Sequence, residues 1–173
     1  MSADPIATPL AGALLETLLA AFDDPGNGVA AVCTAGLISG SMLIADHCCA
    51  DTTADGTPCE GQLTVRVEDI YPTGEFPDPR ADAIPVCGTS WAVRLEVAVV
   101  RGALSIDDHG RPPAMAEEMA VAERALADAG LLRTTLLGFA TDRDQALALG
   151  AYVPMGPDGG CVGGAVSATF LVE

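Results

Sequence analysis

Two stretches of the chain alternate apolar and polar residues, a pattern typical of half-buried β-strands. In the first, which can continue through Ile70 and Tyr71, the apolar positions are Leu63, Val65 and Val67. In the second, which follows Cys87, they are Trp91, Val93, Leu95, Val97 and Val99. Arg94 and Glu96 take the other side of that second stretch. We therefore predict two long strands, each with one face against a core.

Helical spacing predicts two further elements. Thr8 as an N-cap and Pro9 as the first helical residue open a helix that ends within 23–28. Its apolar stripe is Leu10, Leu14, Leu15, Leu18 and Phe22. The second helix follows the turn at 105–111, begins at Pro112 and Pro113, and ends at Gly130. Its core side is predicted to hold Met115, Met119, Ala122 and Leu126, and its solvent side Glu117, Glu118, Arg124 and Asp128.

The remaining segments complete an α+β prediction for one domain over 1–173. A short buried strand is expected at 29–34, a strand or loop at 37–45, and irregular loops at 46–60 and at the proline-rich 71–85. A third helix is expected from Thr141 to Gly150, and a terminal hairpin over 151–172, whose last strand alternates through Val166, Ala168, Phe170 and Val172. Because the strands come in runs, we expect a mixed or antiparallel sheet with helices packed on one face and long Pro-rich loops.

Composition narrows the class of protein. A net charge of −16 and a pI near 4.1 oppose a surface that grips nucleic acid, since phosphate binding depends on Lys and Arg. All eight basic residues are Arg, which is typical of a GC-rich genome. The first residues carry no basic signal region and no apolar run is long enough for a bilayer, so the chain is interpreted as cytoplasmic, with no membrane partner.

The cysteines are predicted to be reduced, structural thiols, because a chain of this length can fold around its core without staples. They are Cys33, Cys48, Cys49, Cys59, Cys87 and Cys161. A zinc site is the alternative: His47, Cys48, Cys49 and Cys59 are ligand types, with Cys87 or Cys161 to complete the set. Adjacent Cys48 and Cys49 lack the two-residue gap with which paired thiolates converge on one metal.

Other candidate chemistry also fails on spacing. The Asp107-Asp108-His109-Gly110 segment lacks the alternating acidic ligands of a calcium loop. The glycine-rich stretch 156–164 lacks the Lys-Ser/Thr of a phosphate-binding loop. His47 and His109 are the only histidines, and no Gly-x-Ser-x-Gly elbow occurs. We therefore predict that the protein is not an enzyme and that it has no catalytic, cofactor-binding or metal-binding residues.

Four further segments of the chain form a pattern when they are taken together. They are Phe76-Pro77, Cys87-Gly-x-x-Trp91-x-Val-x-Leu-x-Val-x-Val99-x-Arg101, Ile106-Asp-Asp-His-Gly-Arg-Pro-Pro113 with the long helix, and Gly156-Pro-Asp-Gly-Gly-Cys161-x-Gly163. In this pattern the chain resembles the tail terminator and head-to-tail connector proteins of long-tailed bacteriophages with GC-rich, actinobacterial-type hosts. The resemblance covers about half of the chain, from Gln62 onward.

This resemblance implies a ring, commonly a homohexamer, in the neck of the virion and assembled in the host cytoplasm. The ring would cap the tail tube and join the tail to the head, with the tail tube protein and a connector or stopper protein as partners. The loops 46–60 and 71–85 are candidate assembly contacts or solvated loops. The alternatives are another connector component, such as an adaptor or stopper ring, and a Cys/His metal-binding protein.

The charge adds an expectation about such a ring. DNA would pass through the lumen without specific binding if the lumen is acidic or neutral, because like charges repel phosphates. The arginines would then lie at contacts with other subunits or partners, where a guanidinium pairs with a carboxylate. Arg94 and Arg101, on the long strand, are the first candidates.

Overall fold

The computed structural model describes residues 4–38, 48, 50–53, 56, 58–80, 90–106, 109–158 and 160–172. The first elements in chain order are helix α1 (Ala7–Asp23), a single 3-10 turn (Pro25–Asn27), and strands β1 (Thr34–Ile38), β2 (Ala50–Thr52) and β3 (Pro58–Glu60). Strands β4 (Gln62–Glu75), β5 (Asp78–Pro79) and β6 (Ser90–Gly102) follow. Helix α2 (Met115–Asp142) and strands β7 (Leu147–Asp158) and β8 (Cys161–Val172) complete them.

The main sheet is mixed, in the order β1-β4-β6-β8-β7, with the short β5 paired to β4. Strand β1 runs parallel to β4, and the other pairs are antiparallel. Strands β2 and β3 form a separate two-stranded sheet. Both helices pack on the same face of the main sheet. The predicted α+β class, the mixed sheet and the helices on one face are confirmed.

The core lies between the sheet and the two helices. Alternate residues of β4, β6 and β8 supply the sheet side, and the fully buried ones include Leu63, Val65, Val93, Leu95, Val97, Ala168 and Phe170. The helices contribute Leu14, Leu18, Phe22, Leu132, Leu136 and Phe139. Phe139 and Phe170 meet edge to face, with ring centroids 5.7 Å apart. The predicted alternation of β6 and β8 is therefore confirmed, as is the stripe of α1 through Leu14, Leu18 and Phe22.

A β-bulge interrupts the alternation of β4. The register with β6 shifts between Val67 and Asp69, and Val67 is exposed. The extra residue reverses which side chains face the helices, so Ile70, opposite Val93, packs against the core. The strand predicted from Leu63 to Tyr71 is thus present, and it continues to Glu75.

Helix α1 begins one residue before the predicted cap. Its first turn is satisfied by Asp4, whose Oδ1 accepts hydrogen bonds from the backbone N–H groups of Ile6 (2.9 Å) and Ala7 (2.7 Å). Thr8 therefore lies inside the helix, and its prediction as N-cap is wrong. The end of α1 within 23–28 is confirmed, and there Asp24 Oδ1 accepts from the N–H of Gly26 at 2.8 Å.

Helix α2 differs most from the prediction. It starts at Met115, after the two prolines, and continues through Gly130 for 28 residues. A glycine inside a helix costs roughly 1 kcal/mol, which the burial of Leu132, Leu136 and Phe139 in the following turns outweighs. The predicted helix from Thr141 to Gly150 is wrong, because α2 ends at Asp142 and β7 begins at Leu147.

The assignment of faces on α2 is also wrong. Met115, Met119, Ala122 and Leu126, predicted to face the core, are exposed. Asp128, predicted to face solvent, is buried. The packed face of α2 is set by its C-terminal half, where the buried apolar residues lie.

The predicted loops contain more regular structure than expected. Residues 50–52 and 58–60 form β2 and β3, and 71–75 belong to β4, so neither loop prediction holds there. Pro72 lies beyond the end of β1, where the outer neighbour of β4 is only the two-residue β5, and its carbonyl accepts from the N–H of Arg80 at 2.8 Å. The strand predicted at 29–34 is displaced to β1. Residues 39–47, 49 and 81–89 lie outside the described residues, as do Asp107 and Asp108.

The terminal hairpin is confirmed. Strands β7 and β8 pair antiparallel around a turn at Gly160, which has a φ of 83°. Both strands are longer than the apolar pattern predicts. Strand β7 already begins at Leu147, and β8 already begins at Cys161.

Candidate functional site: a helix arm and the groove beside it

The N-terminal half of α2 is largely exposed, and among the described residues only its side with Val121, Arg124 and Ala125 lies beside β6 and β8. We define the arm as residues 115–126, and its first six residues are exposed around the whole circumference of the helix. Three of its apolar side chains are mostly in solvent: Met115 (76% exposed), Met119 (56%) and Leu126 (70%). At 100° per residue they fall within about 40° of one another. The arm therefore presents a continuous apolar stripe with no partner among the described residues.

A buried ion pair fixes α2 at the base of this arm. Arg101 on β6 donates from Nε to Asp128 Oδ2 (2.7 Å) and from a terminal nitrogen to Asp128 Oδ1 (2.8 Å). Arg101 is 5% exposed and Asp128 is 4% exposed. The same guanidinium donates to the carbonyls of Glu60 and Ala30, the latter at 2.9 Å. One arginine thus joins α2, β6, β3 and the segment after α1.

A second, more exposed ion pair supports the arm from β3. A terminal nitrogen of Arg124 lies 2.9 Å and 2.8 Å from the two carboxylate oxygens of Glu60. Together the two pairs set the direction in which the arm leaves the domain.

Two disulfides staple the segment that carries Glu60. Cys33 is bonded to Cys59 and Cys48 to Cys161, so the β2–β3 unit is tied both to the chain before β1 and to the start of β8. The prediction of reduced thiols is therefore wrong for these four cysteines. Sequence spacing missed them because the bonds join residues 26 and 113 positions apart, and spacing cannot assign such pairs.

The disulfides also bear on the zinc alternative. Cys48 and Cys59 belong to two different disulfides and have no thiolate to offer a metal. The other candidate ligands His47, Cys49 and Cys87 lie outside the described residues. Within the part of the chain that is described, no cluster of His, Cys, Asp and Glu could hold a metal ion.

A groove of about 450 Å³ runs between α2 and the β7–β8 hairpin, and it begins at Leu126, the last residue of the arm. Its walls are mainly apolar or small residues, with one arginine: Leu126, Ala129, Gly130, Arg133, Leu149, Gly150, Tyr152 and Val166. The Tyr152 ring lies against Gly164, where a Cβ would overlap it. Gly164 thus makes room for the ring that floors this groove.

The groove is suited to binding rather than to proton transfer. Burial, and secondarily the negative charge of Asp128, raise the pKa of Tyr152 above its ordinary value of 10.0, so the phenol stays protonated. The described residues that line the groove include no carboxylate, histidine or cysteine. Arg133 is exposed there and has no ion pair within the described ranges.

The opposite face of the sheet carries a polar network. Arg66 lies 2.8 Å from Glu96 and 3.3 Å from Glu68, and Glu68 accepts from Ser167 Oγ at 2.8 Å. Arg94 donates to the hydroxyl of Tyr71 at 3.2 Å and lies over its ring. The carboxylates and hydroxyls that pair with these arginines belong to the same chain.

These contacts correct one expectation about the arginines. Arg101 is buried against Asp128 of its own chain, so it is not available to a neighbouring subunit. The alternating pattern of β6 indicates on which face of the sheet Arg101 lies. It does not indicate that the buried carboxylate of Asp128 lies there. A role of Arg94 in partner contacts stays a prediction.

The arm could have been found by comparing the two halves of α2. Around the helix, the exposed stripe lies roughly 110° from the buried residues Leu132, Leu136 and Phe139. Helix α2 thus carries two apolar faces. The core covers the face in its C-terminal half, and the face in its N-terminal half is exposed.

No protein-family model matches the chain, and no curated protein has a significantly similar sequence. None of the helices in the described ranges is both long and apolar enough to span a membrane.

Proposed function

We propose that this chain is a structural subunit of the neck of a long-tailed bacteriophage, where copies of it form a tail terminator ring. The observation that carries the proposal is the arm, an apolar helix surface that the described part of the chain leaves mostly in solvent. The segments from Gln62 onward resemble tail terminators and connectors. This resemblance indicates the kind of assembly in which the arm would bind.

The arm favours assembly on energetic grounds. Burying a Leu or Met side chain fully contributes about 1.5–3 kcal/mol, and Met115, Met119 and Leu126 leave most of that contribution unused in a single chain. Large contiguous apolar surfaces on soluble proteins mark interaction sites. A subunit of a larger particle would realise this gain when its neighbour binds.

The disulfides and the charge suit a particle component. Disulfides persist in oxidising surroundings, including virion surfaces, and are rare in cytosolic proteins. A net charge of −16 per chain would repel the phosphates of DNA that moves through a ring, because both carry the same sign.

Electron cryo-microscopy of particles that carry this chain tests the proposal. We expect a closed ring at the junction of head and tail, on the tail side, and tails of uncontrolled length when the gene is deleted. A ring beside the portal would favour the adaptor alternative instead. Copies scattered along the tail, or absence from the particle, would reject a neck function.

A further inference from the structure

We propose that neighbouring copies of this chain join head to tail, with the arm of one copy seated in the α2–β7 groove of the next. The inference rests on the proposed function in one respect, namely that the contacts close into a ring. It names the occupant of both surfaces, which is a second copy of this chain.

Arm and groove differ in shape and complement each other. The arm is convex, with Met115 and Met119 leading its apolar stripe. The groove is concave, about 450 Å³ in volume and floored by Tyr152. Unbranched methionine side chains adapt to irregular apolar surfaces such as this one.

The charges beside the two surfaces are opposite. Glu118 on the arm is exposed, and no described residue pairs with it. Arg133 on the wall of the groove is exposed and equally without an ion pair within the described ranges. Glu117 is already occupied, since its Oε2 accepts from the N–H of Ala114 at 2.7 Å. In a chain of net charge −16, an unpaired arginine beside an apolar groove selects an acidic, apolar segment, and the arm is one.

The β7 edge of the sheet is less suited to join copies. Strand β7 lies at the end of the sheet, but it contains Pro154 and Pro157 and its register with β8 shifts twice. Prolines and bulges on an edge strand oppose pairing with another strand.

A contact between two different surfaces has a consequence for symmetry. Each copy has one arm and one groove, so every contact leaves a free arm at one end and a free groove at the other. Such heterologous contacts generate a ring when the rotation between neighbours closes.

Sedimentation velocity of the purified full chain, with two interface variants and two matched controls, tests the contact. Met119→Asp places a charge in the stripe, and its control Ala120→Asp changes an exposed residue on another side of the arm. Gly130→Trp fills the groove, since a Cβ there meets nothing within 4 Å. Gly138→Trp is its control, because the same holds at Gly138, which lies outside the groove.

We expect wild type and both controls to form a closed oligomer, and each interface variant to weaken self-association by about 30-fold or more. An equimolar mixture of the M119D and G130W chains should form a one-to-one dimer and nothing larger, because one intact arm then meets one intact groove. Circular dichroism confirms that each variant is folded. A wild type that stays monomeric at high concentration, or a mixture that forms no such dimer, would overturn the proposal.

An exchange of charges tests the proposed ion pair between Glu118 of one copy and Arg133 of the next. Glu118→Arg and Arg133→Glu should each weaken self-association several-fold, and the double variant, whose net charge equals that of wild type, should recover it. Failure of the double variant to recover would contradict the pairing. A ring at the neck that is built through other contacts would reject this inference and leave the proposed function standing. Rings that form through the arm but are absent from the neck would support this inference and reject the proposed function.

Discussion

The two halves of helix α2 have similar apolar content and opposite surroundings. In the C-terminal half, Leu132, Leu136 and Phe139 are buried against the sheet and α1. In the N-terminal half, Met115, Met119 and Leu126 are in solvent. The boundary falls at Asp128, which the buried Arg101 holds in place.

The difference shows that one helix performs two tasks. Its C-terminal half completes the core, while its N-terminal half presents an apolar surface that the described part of the chain leaves in solvent. The backbone hydrogen bonds of α2 run through both halves, so anchoring one half also orients the other. The variants below test the contacts that anchor α2, compare its two halves, and test the groove beside it.

The largest expected effect comes from the two disulfides that hold the β2–β3 unit, which carries Glu60. Cys48→Ser with Cys161→Ser opens a loop of 113 residues and should lower the free energy of unfolding by about 5 kcal/mol. Cys33→Ser with Cys59→Ser opens a loop of 26 residues and should cost about 3.5 kcal/mol. Urea unfolding under oxidising conditions measures both. An unchanged midpoint for either pair would show that its disulfide does not staple the native protein.

The buried ion pair comes next. Arg101→Met leaves the Asp128 carboxylate buried without a partner, which should cost about 3–5 kcal/mol of unfolding free energy. Arg124→Met is the matched control, because its pair with Glu60 is partly exposed and should contribute about 0–1 kcal/mol. Similar losses for the two variants would contradict the assignment of Arg101 as the anchor of α2.

Two leucines on α2 compare the halves at the same residue type. Leu136→Ala removes a fully buried side chain and should destabilise the dilute protein by about 2–5 kcal/mol. Leu126→Ala removes an exposed one and should stay within about 0.5 kcal/mol of wild type. In dilute protein, a large loss at Leu126 would mean that the arm packs against its own chain.

The smallest expected effect is a dependence on alkaline pH at the groove. The pKa of Tyr152 is raised in the folded state, so its contribution to stability is complete below the unfolded value and is lost as pH rises through the folded value. Between about pH 8 and 11 wild type should therefore lose more stability than Tyr152→Phe. Thermal unfolding across this range checks the slope, and equal slopes would place the phenol in water.

The sequence predicted those elements whose pattern reflects their burial within one chain. Strands β6 and β8 alternate because one face meets the core, and α1 has a stripe because it lies on the sheet. The same pattern does not predict the exposure of the arm, because an apolar stripe has the same spacing whether its own chain or another chain covers it. Thus the side chains of the candidate surface were identified, but they were assigned to the core.

Other features depend on long-range contacts that local patterns do not encode. The burial of Asp128 requires Arg101, 27 positions earlier in the chain. The disulfides likewise join distant elements, and six cysteines allow 15 complete pairings. The apolar groove lies between a helix and a hairpin whose packing no single segment predicts.

Hydrogen–deuterium exchange along α2, measured at increasing protein concentration, tests most directly whether the arm is an assembly surface. Amides of residues 132–140 should be protected at every concentration, because they belong to the core. Amides of residues 115–126 should exchange quickly in dilute protein and become protected as the oligomer forms. Exchange of 115–126 that stays fast in the assembled protein, or is already slow in the monomer, would contradict this assignment.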